Sequence, residues 1–133
     1  MSKVRDAMVP DPVTLDAADT ARDAGARLSD PDVRAVLVTD NGGSLLGVVT
    51  RKTLVREVVA AGRDPSSTRL REIVEPPIFT LDADLDLEAA FHTLEERDLE
   101  RVPVVETGRL VGILSRAVVQ RRLAEDEPVE AED

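Results

Sequence analysis

The chain carries one unit twice. "LVGILSRAVV" (Leu110–Val119) repeats "LLGVVTRKTL" (Leu45–Leu54): Gly47 matches Gly112, Thr50 matches Ser115 and Arg51 matches Arg116, each 65 positions on. "VTLDAAD" from Val13 matches "FTLDADL" from Phe79, "VRDAMVP" from Val4 matches "LREIVEP" from Leu70, and "AVLVTD" from Ala35 matches "RVPVVE" from Arg101, each 66 positions on. The offset drops where "DNGGS" shortens to "ETGR", and a turn is where a duplicated unit tolerates a deletion. A duplication constrains the fold more than any local propensity does. Each copy must take the same local structure, and short repeats bury their apolar faces by packing on one another.

Each copy reads as β-α-β-β-α behind a short lead-in helix. The lead-ins run around Lys3–Met8 and Leu70–Val74 and stop at Pro10 and Pro76. A short strand follows, "VTL" or "IFTL". In the second copy Leu87, Ala90, Phe91 and Leu94 then fall at the spacing of one helical face. Asp84 or Asp86 suits its N-cap. The first copy puts Ala21, Ala24, Gly25 and Leu28 at the same places. A face so thin leaves room for another helix, and it is expected to contribute to a homodimer. Two strands come next, "AVLVT" and "LLGVVT" around Asn-Gly-Gly, then "VPVVE" and "LVGILS". Helices Arg51–Ala61 and Arg116–Ala124 end the copies. The expected organisation is a first repeat with its lead-in over 1–62, a linker over 63–69, a second repeat over 70–124 and a disordered acidic tail over 125–133. About 55 residues is marginal for independent folding. The α/β (α+β) expectation is therefore two repeats packed sheet to sheet with pseudo-twofold symmetry, and grooves between repeats are natural ligand sites.

Composition removes several classes of function. With no Cys there are no disulfides, thiolate metal sites or Cys nucleophiles, and His92 is the one imidazole. A lone His without partners is a poor ligand or base, so neither a metal site nor an enzyme is expected. The net charge is −10, and six of the acids lie in the last nine residues, "EDEPVEAED". No basic stripe marks a nucleic-acid polymer binder. A local Arg cluster can still hold a small anion against the global sign. No apolar run approaches the ~20 residues of a membrane helix, and "MSKVRDAMVP" has no signal-peptide core, so a soluble, cytoplasmic protein is expected.

The pieces "RVPVVETGRLVGILSRAVV" and "AVLVTDNGGSLLGVVTRKTL" resemble the CBS-domain pair, or Bateman module, from Val4 to about Ala124. The resemblance implies regulation rather than catalysis. No cofactor is required. An adenosine-type ligand (AMP, ADP, ATP or S-adenosylmethionine) would bind in two clefts between the repeats and control a partner, and pairs often dimerise into a disc of four repeats. In the family a Ser/Thr after the last strand and an Asp three residues later contact phosphate and ribose. Thr50 and Ser115 keep the hydroxyl, but Thr53 and Val118 stand where the Asp would be. Charge-assisted hydrogen bonds are worth ~1.5–3 kcal/mol each, so their loss would weaken an adenosine ligand roughly ten- to a thousandfold. Thr53 would recover a fraction of this and Val118 none. Arg101 matches a phosphate-binding Arg of the family, with Glu100 beside it; in the first copy Ala35 takes the Arg101 place and Arg34 the Glu100 place. Pro12 and Ile78 match positions that lie against adenine. Arg51 and Arg116 stand at helix starts, where free N–H groups favour anions.

Two functions follow. One is a stand-alone regulatory module that senses a small anionic, nucleotide-type ligand and acts on an unidentified protein. The other is a dimerising scaffold whose clefts have lost their ligand, a reading that the missing Asp residues favour.

Overall fold

The computed structural model describes residues 2–77 and 79–126. In chain order the elements are α1 (Val4–Ala7), β1 (Val9–Pro10), β2 (Thr14–Asp16), α2 (Ala21–Leu28), β3 (Ala35–Asp40), β4 (Ser44–Thr50) and α3 (Arg51–Leu54). Helix α3 continues as a π-helical turn, Val55–Val59. Then come α4 (Leu70–Ile73), β5 (Leu81–Asp82), α5 (Leu87–Glu96), β6 (Arg101–Glu106), β7 (Arg109–Ser115) and α6 (Arg116–Asp126). The β-α-β-β-α order is present twice, so the fold is the mixed α/β one expected. In each copy the strand before the helix pairs in parallel with the strand after it, Leu15 against Val38 and Leu81 against Val104. A helical crossover permits that pairing.

The chain forms two compact units, and they cut across the sequence repeats. The first unit is Val13–Ile78 with Gly108–Leu110; the second is Met1–Pro12, Phe79–Thr107 and Val111–Asp133. The lead-in helices are exchanged. Leu70 and Ile73 of α4 are buried in the core with Leu15, Ala24, Val38 and Val58. Val4 of α1 is buried with Leu81, Leu87, Leu94, Val104 and Val119. The exchange satisfies the free N–H groups that open each helix. In the first unit Leu70 N donates to Asp19 O (2.8 Å) and Arg71 N to Ala17 O (3.0 Å). In the second, Val4 N donates to Leu85 O (2.9 Å) and Arg5 N to Ala83 O (3.0 Å). Each buried Leu or Ile contributes about 1.5–3 kcal/mol that a free lead-in would forgo.

The glycines of the repeat make room for the segments after these helices. Val48 pairs with Glu75, and Ile113 with Val9. A Cβ on Gly47 would overlap the Glu75 carbonyl, and one on Gly112 would meet Met8 Sδ, Met8 Cγ and the Val9 carbonyl at 2.6–2.9 Å. Gly47 also stands beside a register shift between β3 and β4, where Val38 pairs with Gly47 and Thr39 with Leu45.

Two expectations change, and a third gains detail. Ala21 and Ala24 are buried inside the first unit, and a Cβ on Gly25 would lie 3.8 Å from Leu54. The small face thus admits the chain's own α3, while Gly25 stays half-buried and Ala26 exposed. The helix expected over Arg51–Ala61 is α-helical only to Leu54. Helix α6 takes in Glu125 and Asp126, the first two residues of the expected tail; 127–133 lie outside the described residues. The N-cap of α5 is Asp86, whose carboxylate accepts from Ala89 N at 3.2 Å. No helix of the described residues is long and apolar enough to cross a membrane.

Candidate functional site

In the first unit, strand β4 ends at Thr50, which caps α3. Its hydroxyl accepts from Thr53 N at 3.3 Å, and Thr50 N donates to Thr53 Oγ1 at 3.1 Å. Ala35 is the strand partner of Thr50, so Arg34 lies at this end of the sheet; Arg34 is exposed and has no ion pair among the described residues. Thr53 is 0% exposed. Its hydroxyl lies 3.1 Å from Thr50 Oγ1 and donates to Glu75 Oε1 at 3.2 Å. The same Oε1 accepts from Arg56 Nη2, and Arg56 Nε reaches Glu57 Oε2 at 3.4 Å. Arg51 turns away from this group: its Nη2 donates to Asp30 O and Val33 O, both at 2.8 Å, and fastens the loop between α2 and β3. Thr50, Thr53 and Arg34 are thus brought to one strand end, with Arg51 used as a staple. Ile78 lies outside the described residues.

In the second unit, Ser115 holds the matching cap place. Its Oγ accepts from Val118 N at a long 3.5 Å, and Val118 is half-buried with no polar atom to offer from its side chain. Arg116, 22% exposed, is the counterpart staple: it pairs with Asp98 (3.4 Å) and with Glu100. Glu100 therefore neutralises Arg116. Its carbonyl accepts from Arg116 N at 2.9 Å, which brings Arg101 to the same strand end as Ser115. Arg101 is exposed and has no ion pair among the described residues. Pro12 is half-buried at the end of the unit's first segment.

Sequence reasoning missed Glu75. It sits in a lead-in, 22 residues from Thr53, and no spacing rule links the two. The one available signal was that Glu75 stands where the other lead-in has Val9. Elsewhere, Arg5 binds Asp84 (2.6 Å) and Glu106. That pairing holds the Asp84 carboxyl below its usual range and raises the Arg5 guanidinium further above its own. His92 is exposed, with Nε2 3.1 Å from Glu96. Among the described residues no three His, Cys, Asp or Glu side chains are grouped as metal ligands.

The family model for the CBS domain matches residues 4–60 and again residues 70–125. Hypoxic response protein 1 of Mycobacterium tuberculosis is 29% identical over 125 residues, which is 94% of this chain and 87% of that protein. A crystal structure of Hypoxic Response Protein I with two coordinated zinc ions superposes with a TM-score of 0.77 at 28% identity, covering 92% of this chain and 99% of that one. The structure of CBSX2 in complex with AMP has a TM-score of 0.73 at 24% identity, covering 94% and 98%.

Proposed function

Because the chain belongs to the CBS-domain family, we propose that it is a regulatory module, which takes a small nucleotide-type ligand at the strand ends and passes its presence to a partner protein. The supporting observation is Arg101. It is a cation at the strand end that also carries a cap hydroxyl, Ser115, and it has no ion pair among the described residues although acidic residues outnumber basic ones in the chain. Its neighbour Arg116 is neutralised by Glu100 and Asp98. An unpaired guanidinium at a strand end that also holds a hydroxyl and a helix start suits one phosphate. AMP, held by a relative of the same fold, is the first probe, followed by ADP, ATP and S-adenosylmethionine.

Thermal unfolding against millimolar ligand tests the reading. At a hundred times its dissociation constant a ligand adds about 2.7 kcal/mol, several degrees at this chain length. The shift is expected with an adenine nucleotide and is expected to shrink in R101Q. No shift with any of them favours the scaffold reading, which the sealed Thr53 and the engaged Arg51 support. A homodimer is expected under either reading, and light scattering across micromolar concentrations checks it.

A further inference from the structure

The helical layers of the two units differ at four matched places. Helix α2 carries Arg22, Gly25, Ala26 and Ser29, and α5 carries Glu88, Phe91, His92 and Glu95. The spacing is i, i+3, i+4 and i+7 in both, so each set forms one stripe along its helix. In the second unit the half-buried Phe91 packs over the core to which Val119 and Leu94 belong. In the first unit Gly25 stands in its place. A groove of about 480 Å³ opens there, lined by Gly25, Ala26, Leu54 and Val59 together with Arg22 and Arg63. A Cβ on Gly25 would meet Leu54 on one side and no other residue's atoms within 4 Å, so the other side is open. Val59 is left 73% exposed. An apolar groove with polar residues at its border marks a surface that another chain covers.

Charge says what fits. On the groove side Arg22 and Arg27 are exposed and have no ion pair among the described residues. Arg63 reaches Glu72 only at 3.5 Å. The acid next to Arg22, Asp23, is committed to Thr20 at the helix start. On α5 the signs are reversed. Glu88 and Glu95 are exposed and have no ion pair among the described residues, and Glu96 holds His92. The base that follows, Arg97, lies over the Phe79 ring at 4.6 Å. One stripe is therefore small and basic and the other bulky and acidic. We infer that the α2 groove of one copy receives the α5 stripe of a second copy, so that the homodimer joins unlike units. The contact takes one unit from each copy. In a two-fold dimer, where residue i meets j and j meets i, it specifies its own reciprocal. Pairing of like faces would set Arg22 and Arg63 against their own copies, or Glu88 and Glu95 against theirs, and like charges suppress such contacts. The inference rests on the homodimer expected above and names its faces; it needs no ligand.

The chain has no cysteine, so single cysteines placed on the two stripes report which faces meet. A26C and H92C alter exposed positions and leave both cores intact. Under mild oxidation, a mixture of the two full-length variants, one carrying a size tag, is expected to give the mixed cross-linked dimer, and each variant alone little product. Light scattering across micromolar concentrations reads the affinity. R22E should weaken the dimer about tenfold, as should E88K/E95K, and the chain carrying all three changes should regain it. G25F adds a ring where the second copy has one; it should fill the groove and weaken the dimer while the unfolding temperature holds. Cross-linking of A26C or of H92C with itself as efficient as that of the mixture overturns the inference and leaves the homodimer standing. So does association unchanged in R22E, or failure of the triple variant to recover. A chain that is monomeric throughout removes the homodimer and the inference together and leaves the ligand-binding reading untouched.

Discussion

The two units share a backbone plan and differ in what they place on it. In the first, Thr53, Glu75 and Arg56 form one bonded group. In the second the corresponding residues are Val118, Val9 and Arg121, and Val9 is 59% exposed. The features common to both are those that closure of the fold requires. Each unit has an exchanged lead-in helix bonded to a turn, a glycine under the lead-in backbone, and an arginine after β4 or β7 that fastens a loop. Arg51 does this through two carbonyls and Arg116 through two carboxylates. The same task is thus done with neutral acceptors in one unit and charged ones in the other. Duplication preserved the residues that position the chain and left the polar ones free to diverge.

The largest effect should come from breaking the exchange. Leu70→Ala empties a fully buried site and should cost about 2–5 kcal/mol, and Val4→Ala about 1–3 kcal/mol. Native-state hydrogen exchange should show L70A lowering protection in residues 13–58 and V4A in residues 79–119. If each acted on its own sequence repeat, the exchanged packing would be wrong. A middle-sized effect should separate the polar group from its apolar counterpart. Thr53→Val removes a buried hydroxyl from Thr50 and Glu75 and should cost about 1–3 kcal/mol in denaturant unfolding. Val118→Thr, at a half-buried site, should change stability by a few tenths at most. Equal costs would show that the first unit's bonded group contributes nothing of its own.

The smallest effect concerns two carboxyls with depressed pKa values, one in each unit. Asp84 is held down by the hydrogen bond from Arg5, and Asp23 by those from the Thr20 backbone and hydroxyl at its helix start. A depressed folded-state value stabilises above the ordinary carboxylate pKa of about 4, and the contribution disappears as pH falls through the folded value. Both groups should therefore lose their share only in acid. Salt should raise the Asp84 midpoint, because its partner is an exposed ion, and leave Asp23 nearly unmoved. Carboxyl titration by NMR with and without about 0.5 M salt, at which the screening length falls well below ~10 Å, and in R5Q, separates the two; an Asp84 midpoint indifferent to R5Q would refute the assignment.

Much of the fold was legible because duplication averages out local ambiguity. The weak pattern at Ala21, Ala24, Gly25 and Leu28 could be read as a helix because Leu87, Ala90, Phe91 and Leu94 repeat it with larger side chains. The partners of those small residues were not legible. A period of 3.6 says that a face is covered without saying by what, and here the cover is Leu54 from the same unit. For the candidate site, Thr50 and Ser115 were visible as helix caps, since capping is decided within three residues. The engagement of Arg51 by two distant carbonyls and of Thr53 by Glu75 was not.

The sequence by itself determined the two β-α-β-β-α copies, their turns and caps, and the apolar faces, because periodicity and capping act over a few residues. Tertiary structure decided which lead-in closes which core, and thereby put the Glu75 carboxylate on Thr53 and left Val118 without one. Helix α4 follows the first copy along the chain and completes that copy's core, whereas α1 joins the second. Both lead-ins carry the same apolar pattern, and nothing local distinguishes the two cores they could enter. The choice falls to turn carbonyls and glycine clearances that meet only once the chain has folded.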